Sequence, residues 1–157
     1  MKDLDLTHGG FYKHFRSKQQ LLIEAIVKGF DETEAWFAEA VSRAEPGGEL
    51  KLIIERYLSV QHCANPAGGC PVAALASEIG RFPRAMRVEV DREIRKRIKR
   101  MAVFLPGATS EERESNCLVL FSGMAGALSL ARATPDRDSR KKILEAARDF
   151  YTKTFCC

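Results

Sequence analysis

From Ser17 onward, apolar residues recur three and four positions apart, and no segment alternates with a period of two for long enough to make a strand. A chain spaced this way buries its apolar atoms by packing helix against helix. The fold class it predicts is all-α. In the first helix Leu21, Leu22, Ala25, Ile26, Phe30, Thr33, Phe37 and Val41 keep the spacing. Ser17 and Gln20 open it as a capping box, and it should end before Pro46-Gly47-Gly48. Gly29 weakens its middle without having to break it.

A second helix is expected over about residues 49–63, with Leu52, Ile53, Arg56, Tyr57 and Val60 facing inward. Residues 65–69 form a turn cluster, after which Cys70 stands at an N-cap and Pro71 at the first helical position. The short helix over 72–79 is nearly all apolar or small, so it should be buried. Gly80 ends it and Pro83 opens the next, where Met86, Val90, Ile94, Ile98, Met101 and Leu105 make a stripe against a basic opposite face. Thr109 and Glu112 form another capping box, for a helix reaching about Arg132. Its row Gly123, Ala127 and Ala131 should let another helix approach closely. The last helix follows Thr134-Pro135, with Ile143, Leu144, Ala147, Phe150, Tyr151 and Phe155 on one side.

With 157 residues and 45% hydrophobic content, the chain can bury a core as one domain or as a small head and a larger body. The division expected is residues 1–44 as head and connector and 45–157 as body. No run approaches the roughly 18 uninterrupted apolar residues of a membrane span. The opening residues lack the regions of a signal peptide, so the expected location is cytoplasmic, with no membrane partner. Net charge is only +4, but basic residues gather at 13–18 and 81–100. The run from Arg92 to Arg100 carries no aromatic residue for stacking and reads as a solvated helix face.

Five cysteines without C-x-x-C spacing argue against a structural zinc site or a disulfide framework, and no metal or cofactor is expected. Cys70, at a helix N-terminus, is a candidate redox or electrophile sensor with Cys63 as its resolving partner. A small buried hydrophobe in a tight turn is the commoner role for such a cysteine. His62, beside Cys63, lacks the further ligands that metal binding needs. There is no G-x-S-x-G, no H-E-x-x-H and no phosphate-binding glycine loop, so no enzymatic activity is expected.

One stretch stands apart. Residues 6–18 read L-T-H-G-G-F-Y-K-H-F-R-S-K, small, aromatic and basic side chains together, with Phe11 and Phe15 able to hold it to a scaffold. Thr7 can cap a short helix, and Gly9 and Gly10 in its first turn suit backbone that approaches something closely. The stretch resembles the recognition helix of the TetR (tetracycline-repressor) family of transcriptional regulators, together with the start of the helix that follows. The segment from Gly69 to Glu78 also resembles one found in a subset of these regulators.

The resemblance implies a partial helix-turn-helix head, a helical regulatory body and a closing pair of dimerising helices, 112–132 and Arg137–Phe155. Thr7, His8 and Gly9 would enter the major groove of operator double-stranded DNA, and Lys13 would reach a base edge or a phosphate. Tyr12, His14 and Lys18 would grip phosphates. The body would hold a small-molecule effector, and the inward candidates are Phe37, Tyr57, Gln61, Met86, Phe104 and Phe121. Effector or electrophile binding would tilt the connector and release the DNA from a homodimer.

The family carries a first helix and most of a second before the position of Leu6, where five residues stand here. Residues 1–157 taken alone are therefore expected to bind DNA weakly or not at all. The alternative is a ligand-binding and dimerisation module without DNA binding of its own.

Overall fold

The computed structural model describes Phe15 and residues 17–156. Thr7, His8, Gly9, Tyr12, Lys13 and His14, assigned to DNA by the resemblance, lie outside the described residues, as does Phe11. Among the described residues every regular element is a helix: α1 Lys18–Val41, α2 Glu49–Tyr57, α3 Val60–Ala64, α4 Pro71–Ile79, α5 Arg84–Ala102, α6 Ser110–Ala133 and α7 Arg137–Phe155. The all-α class read from the spacing is the observed one.

Local chemistry explains most of the boundaries. The Ser17 hydroxyl accepts from the Gln20 N–H at 3.1 Å and starts α1. Thr109 and Glu112 make the full reciprocal box at the start of α6. Pro71 opens α4, and the Asp136 carboxylate accepts from the Ser139 N–H at 2.8 Å to open α7.

The helix expected over 49–63 is two helices. Leu58 leaves the helical conformation, and Ser59 caps a fresh start by accepting from the His62 N–H at 3.0 Å. The new axis turns Val60 out to 52% exposure and leaves Gln61 exposed. α4 is also less buried than expected: Pro71 and Ala73 are covered, while Ala74 and Ala76 face solvent. On α7 the inner row is Ile143, Leu144, Ala147, Tyr151 and Phe155. Phe150, expected among them, is 62% exposed. Residues at 144, 147, 151 and 155 share one side at the helical repeat, and positions 143 and 150, seven apart, lie together at its edge.

The main core joins α2 to α7, with α6 at its centre: Cys117, Leu120, Met124, Leu128 and Ala131 are all fully buried. A smaller cluster of Ile26, Phe30 and Val90 ties α1 to α4 and α5. α1 thus packs on α2, α4 and α5 and shares the body's core. By length and composition α6 is the one described helix able to cross a membrane. Here it is flanked by α5 and α7.

The small-residue row of α6 is used inside the chain. A Cβ on Gly123 would lie 1.6 Å from the Tyr151 hydroxyl oxygen, so α7 seats its tyrosine where only hydrogen fits. Three residues on, a Cβ on Gly126 would meet nothing within 4 Å. Alanine should therefore act oppositely at the two sites. Gly123→Ala is expected to cost about 1–3 kcal/mol by overpacking. Gly126→Ala should add up to about 1 kcal/mol through helix propensity. Urea midpoints of the two variants check both signs.

Outward, α6 presents Leu118, Val119 and Leu130, each more than half exposed, and α7 adds Phe150. Positions 118, 119, 122, 126 and 130 follow the helical repeat, so this is one continuous stripe.

Candidate functional site

α1 and α5 each turn a helical stripe toward the same space. From α1 come Phe30, Thr33, Glu34, Phe37, Ala38 and Val41; from α5 come Ile94, Arg97, Ile98, Arg100 and Met101. Ile53 and Tyr57 of α2, Cys70, Phe104 and Phe121 complete the wall. They enclose a half-open cavity of about 350 Å³ whose surface is almost entirely carbon. That size falls within the roughly 300–1,000 Å³ of small-molecule sites, and so does its character of apolar walls with few polar groups.

The inner end is aromatic. The Tyr57 ring stacks on Phe37 with centroids 5.8 Å apart and meets Phe121 edge-on at 6.3 Å. Behind Phe37 stands Trp36, 5.0 Å from it, with the Arg56 guanidinium over the indole at 4.4 Å. The Tyr57 hydroxyl is buried without a hydrogen-bond partner, and the Cys70 side chain lies beside it outside hydrogen-bond geometry. Burial raises the phenol pKa well above its usual value, and the neighbouring Cys70 adds to the shift.

A polar node backs this wall. His62 Nδ1–H donates to the Tyr57 carbonyl at 2.7 Å, and Nε2 accepts from the Cys70 N–H at 3.1 Å. These partners assign the proton to Nδ1 and hold the imidazole neutral. Burial lowers the His62 pKa, opposed by the Tyr57 carbonyl and assisted by the Arg132 charge. Arg132 of α6 donates to the His62 carbonyl at 3.0 Å and to the Cys63 carbonyl at 3.3 Å. Gly69 is glycine for this reason: a Cβ there would lie 2.6 Å from His62 Nε2 and 2.7 Å from Arg132 Nη2.

At the rim the charges come from two helices. Arg97 donates to Asp31 at 2.5 Å and to Glu93 at 2.8 Å, while its Nε, 3.9 Å from Glu34, makes no hydrogen bond. Its guanidinium covers the Phe30 ring at 4.6 Å. Arg100 pairs with Glu34. The expectation of a solvated basic face holds for Arg92, Lys96 and Lys99, which are exposed. Arg97 departs from it, with a side chain only 16% exposed.

Of the six effector candidates, Phe37, Tyr57, Phe104 and Phe121 line the cavity. Gln61 does not, because the break at Leu58 carries it to the surface. Met86 sits about 12 Å further back along α5, eight residues before Ile94. There it lies among Ser17, Gln20 and Ile23 near the start of α1. Lys18 is the exposed first residue of α1.

Cys70 and Cys63 are free and buried, and of the two only Cys70 is in the cavity wall. The Cys117 thiol donates to the Ile98 carbonyl at 3.5 Å, and burial pushes its pKa up to about 12. Both ring nitrogens of His62 are engaged, and no three His, Cys, Asp or Glu side chains among the described residues gather as a metal site.

Sequence reasoning missed Glu34, Arg97, Arg100 and Arg132. The partners of Arg97 and Arg132 lie 66 and 70 residues away, beyond the reach of any local pattern. No protein-family model matches the chain, and no curated protein matches it.

Proposed function

We propose that the chain is the effector-binding and dimerising part of a TetR-type transcriptional regulator, a repressor released from operator DNA by a small molecule. The observation that carries this reading is the double role of α1. It begins at the Ser17 cap, directly after the stretch that resembles a recognition helix, and four turns later it forms one wall of the cavity. A ligand pressing on Phe30, Phe37 or Ala38 pushes on the helix whose cap at Ser17 closely follows that stretch in the sequence, and helices transmit such displacements as units. The regulator works in the cytoplasm and performs no catalysis of its own.

Two copies join through the outer stripe of α6 and Phe150 of α7, burying Leu118, Val119 and Leu130 in a four-helix arrangement. Dimerisation sets the spacing of the two recognition helices, so it is required for operator binding.

The test uses the natural protein, crosslinked to chromosomal DNA in its source cells and recovered with its bound fragments. Discrete sites containing inverted half-sites are expected. A Leu118→Glu/Phe150→Glu variant should be monomeric by light scattering and lose those sites, because two buried carboxylates oppose association. No enriched site for the natural protein, or a natural protein that is itself monomeric, would overturn the reading.

A further inference from the structure

We infer that the cavity takes an apolar monocarboxylic acid, with its hydrocarbon body among the aromatic side chains and its carboxylate on Arg97 and Arg100 at the rim. The inference rests on the reading of the cavity as the effector site and names the chemistry of the effector.

The wall dictates the body. Phe30, Phe37, Ile94 and Phe104 offer carbon, and the Thr33 hydroxyl is committed to the Gly29 carbonyl at 2.7 Å. A ligand with polar groups along its length would leave them unpaired there.

The rim dictates the head group. The charged side chains that line the cavity itself are Arg97, Arg100 and Glu34, while Asp31 and Glu93 pair with Arg97 from outside the lining. Arg97 is fixed independently of Glu34 by Asp31 and Glu93, so it keeps its place when Glu34 moves. Its Nε–H is the donor left over: buried, without a hydrogen bond, and 3.9 Å from the nearest Glu34 oxygen. A planar carboxylate supplies the acceptor this donor lacks, and guanidinium groups bind carboxylates through parallel N–H donors. An alcohol brings no charge to the two arginines. A cation would find Glu34 already paired with Arg100, and Asp31 and Glu93 already paired with Arg97.

Glu34 is then the competitor. It holds Arg100 across the gap between α1 and α5, and an incoming carboxylate takes over that position. No bond is made or broken in the exchange; one anion replaces another. Because Glu34 belongs to α1, its release loosens the rim contact between the connector and the body. The signal thus starts where the ligand's charge arrives.

The probes are decanoate, decan-1-ol and decyltrimethylammonium, matched in chain length and used below micelle formation. Trp36 is the chain's single tryptophan and stands 5.0 Å from Phe37 of the wall, so its emission reports occupancy. Decanoate is expected to bind about tenfold more tightly than decanol, as one charge-assisted contact gives. Arg100→Met should remove most of that advantage while leaving decanol binding unchanged. Arg100 has an exposed side chain, 63% accessible, so this variant should fold. Glu34→Gln should tighten decanoate severalfold and leave decanol as it was, a gain that misfolding cannot produce.

Decanol equal to decanoate, or decyltrimethylammonium tightest of the three, would overturn the carboxylate assignment and leave the effector cavity standing. Failure of all three to bind would overturn the cavity reading with it.

Discussion

Ile94→Trp is expected to abolish binding of both decanoate and decanol, by at least about a hundredfold. Ile94 stands on the inward stripe of α5, half-buried, and lines the cavity opposite α1. It also touches both core clusters, so its side chain has a defined direction into the enclosed space. An indole at this position fills the volume a ligand would occupy. Unlike a substitution in a packed core, it has room: the cavity of about 350 Å³ accepts the ring. Stability should therefore change little, since filling a void adds about 0.5–2 kcal/mol and residual crowding subtracts about 1–3 kcal/mol. Trp36 emission is no longer a clean reporter in this variant, so binding is followed by calorimetry, with helix content checked by circular dichroism. On the proposed function, a regulator carrying this substitution should stay at its operator sites when effector is added. Undiminished ligand binding would mean that the ligand lodges elsewhere.

The second large effect is at His62. His62→Ala is expected to destabilise the fold by about 3–5 kcal/mol, a large share of the roughly 5–15 kcal/mol that holds a domain of this kind together. The substitution strands two groups at once. The Tyr57 carbonyl loses its donor and the buried Cys70 N–H loses its acceptor, each at about 1–3 kcal/mol. The ring's contact with Tyr57, 4.8 Å between centroids, goes with them.

The same residue gives the protein a pH dependence whose sign follows from its buried neutral state. The folded pKa lies below the ordinary 6.5, so between the two values the unfolded chain binds a proton that the folded one excludes. This contribution to stability is complete above pH 6.5 and is lost as pH falls through the folded value. Denaturation midpoints measured on either side of pH 6.5 should show a fall for the natural protein that the alanine variant lacks. A parallel pH response in both proteins would show that His62 does not carry it.

How much of this could be read beforehand depended on the range of the interactions. Caps act over three residues, and those at Ser17 and Thr109 stand in plain view, while the start read at Thr134-Pro135 falls just before the observed cap at Asp136. The α5 stripe was equally plain, because a helix buries one face whatever its neighbours are. Ser59 shows where local reading fails. A serine inside an apolar-periodic run can continue the helix or cap a new one, and only the packing of Leu58, 1% exposed, decides. Gln61 was misplaced for that reason alone. Phe150 was assigned inward, but it lies at the edge of the buried side, and periodicity does not tell how far a neighbouring helix covers that edge. Arg97 looked like one more member of a basic run. What sets it apart is Asp31 on another helix, and nothing near position 97 announces it.

The node at His62 has a consequence for concentration. Through Arg132, α6 grips the last carbonyls of α3, and through His62 those residues fix the end of α2 and the start of α4. The opposite face of α6 is the stripe proposed to receive the second copy. A helix pressed from outside by a partner and tied inside to the ligand's wall makes the two equilibria interdependent. Linkage then requires that whatever factor dimerisation applies to effector affinity, effector applies to dimerisation. The dose of effector that switches such a regulator would depend on how many copies of it the cell contains.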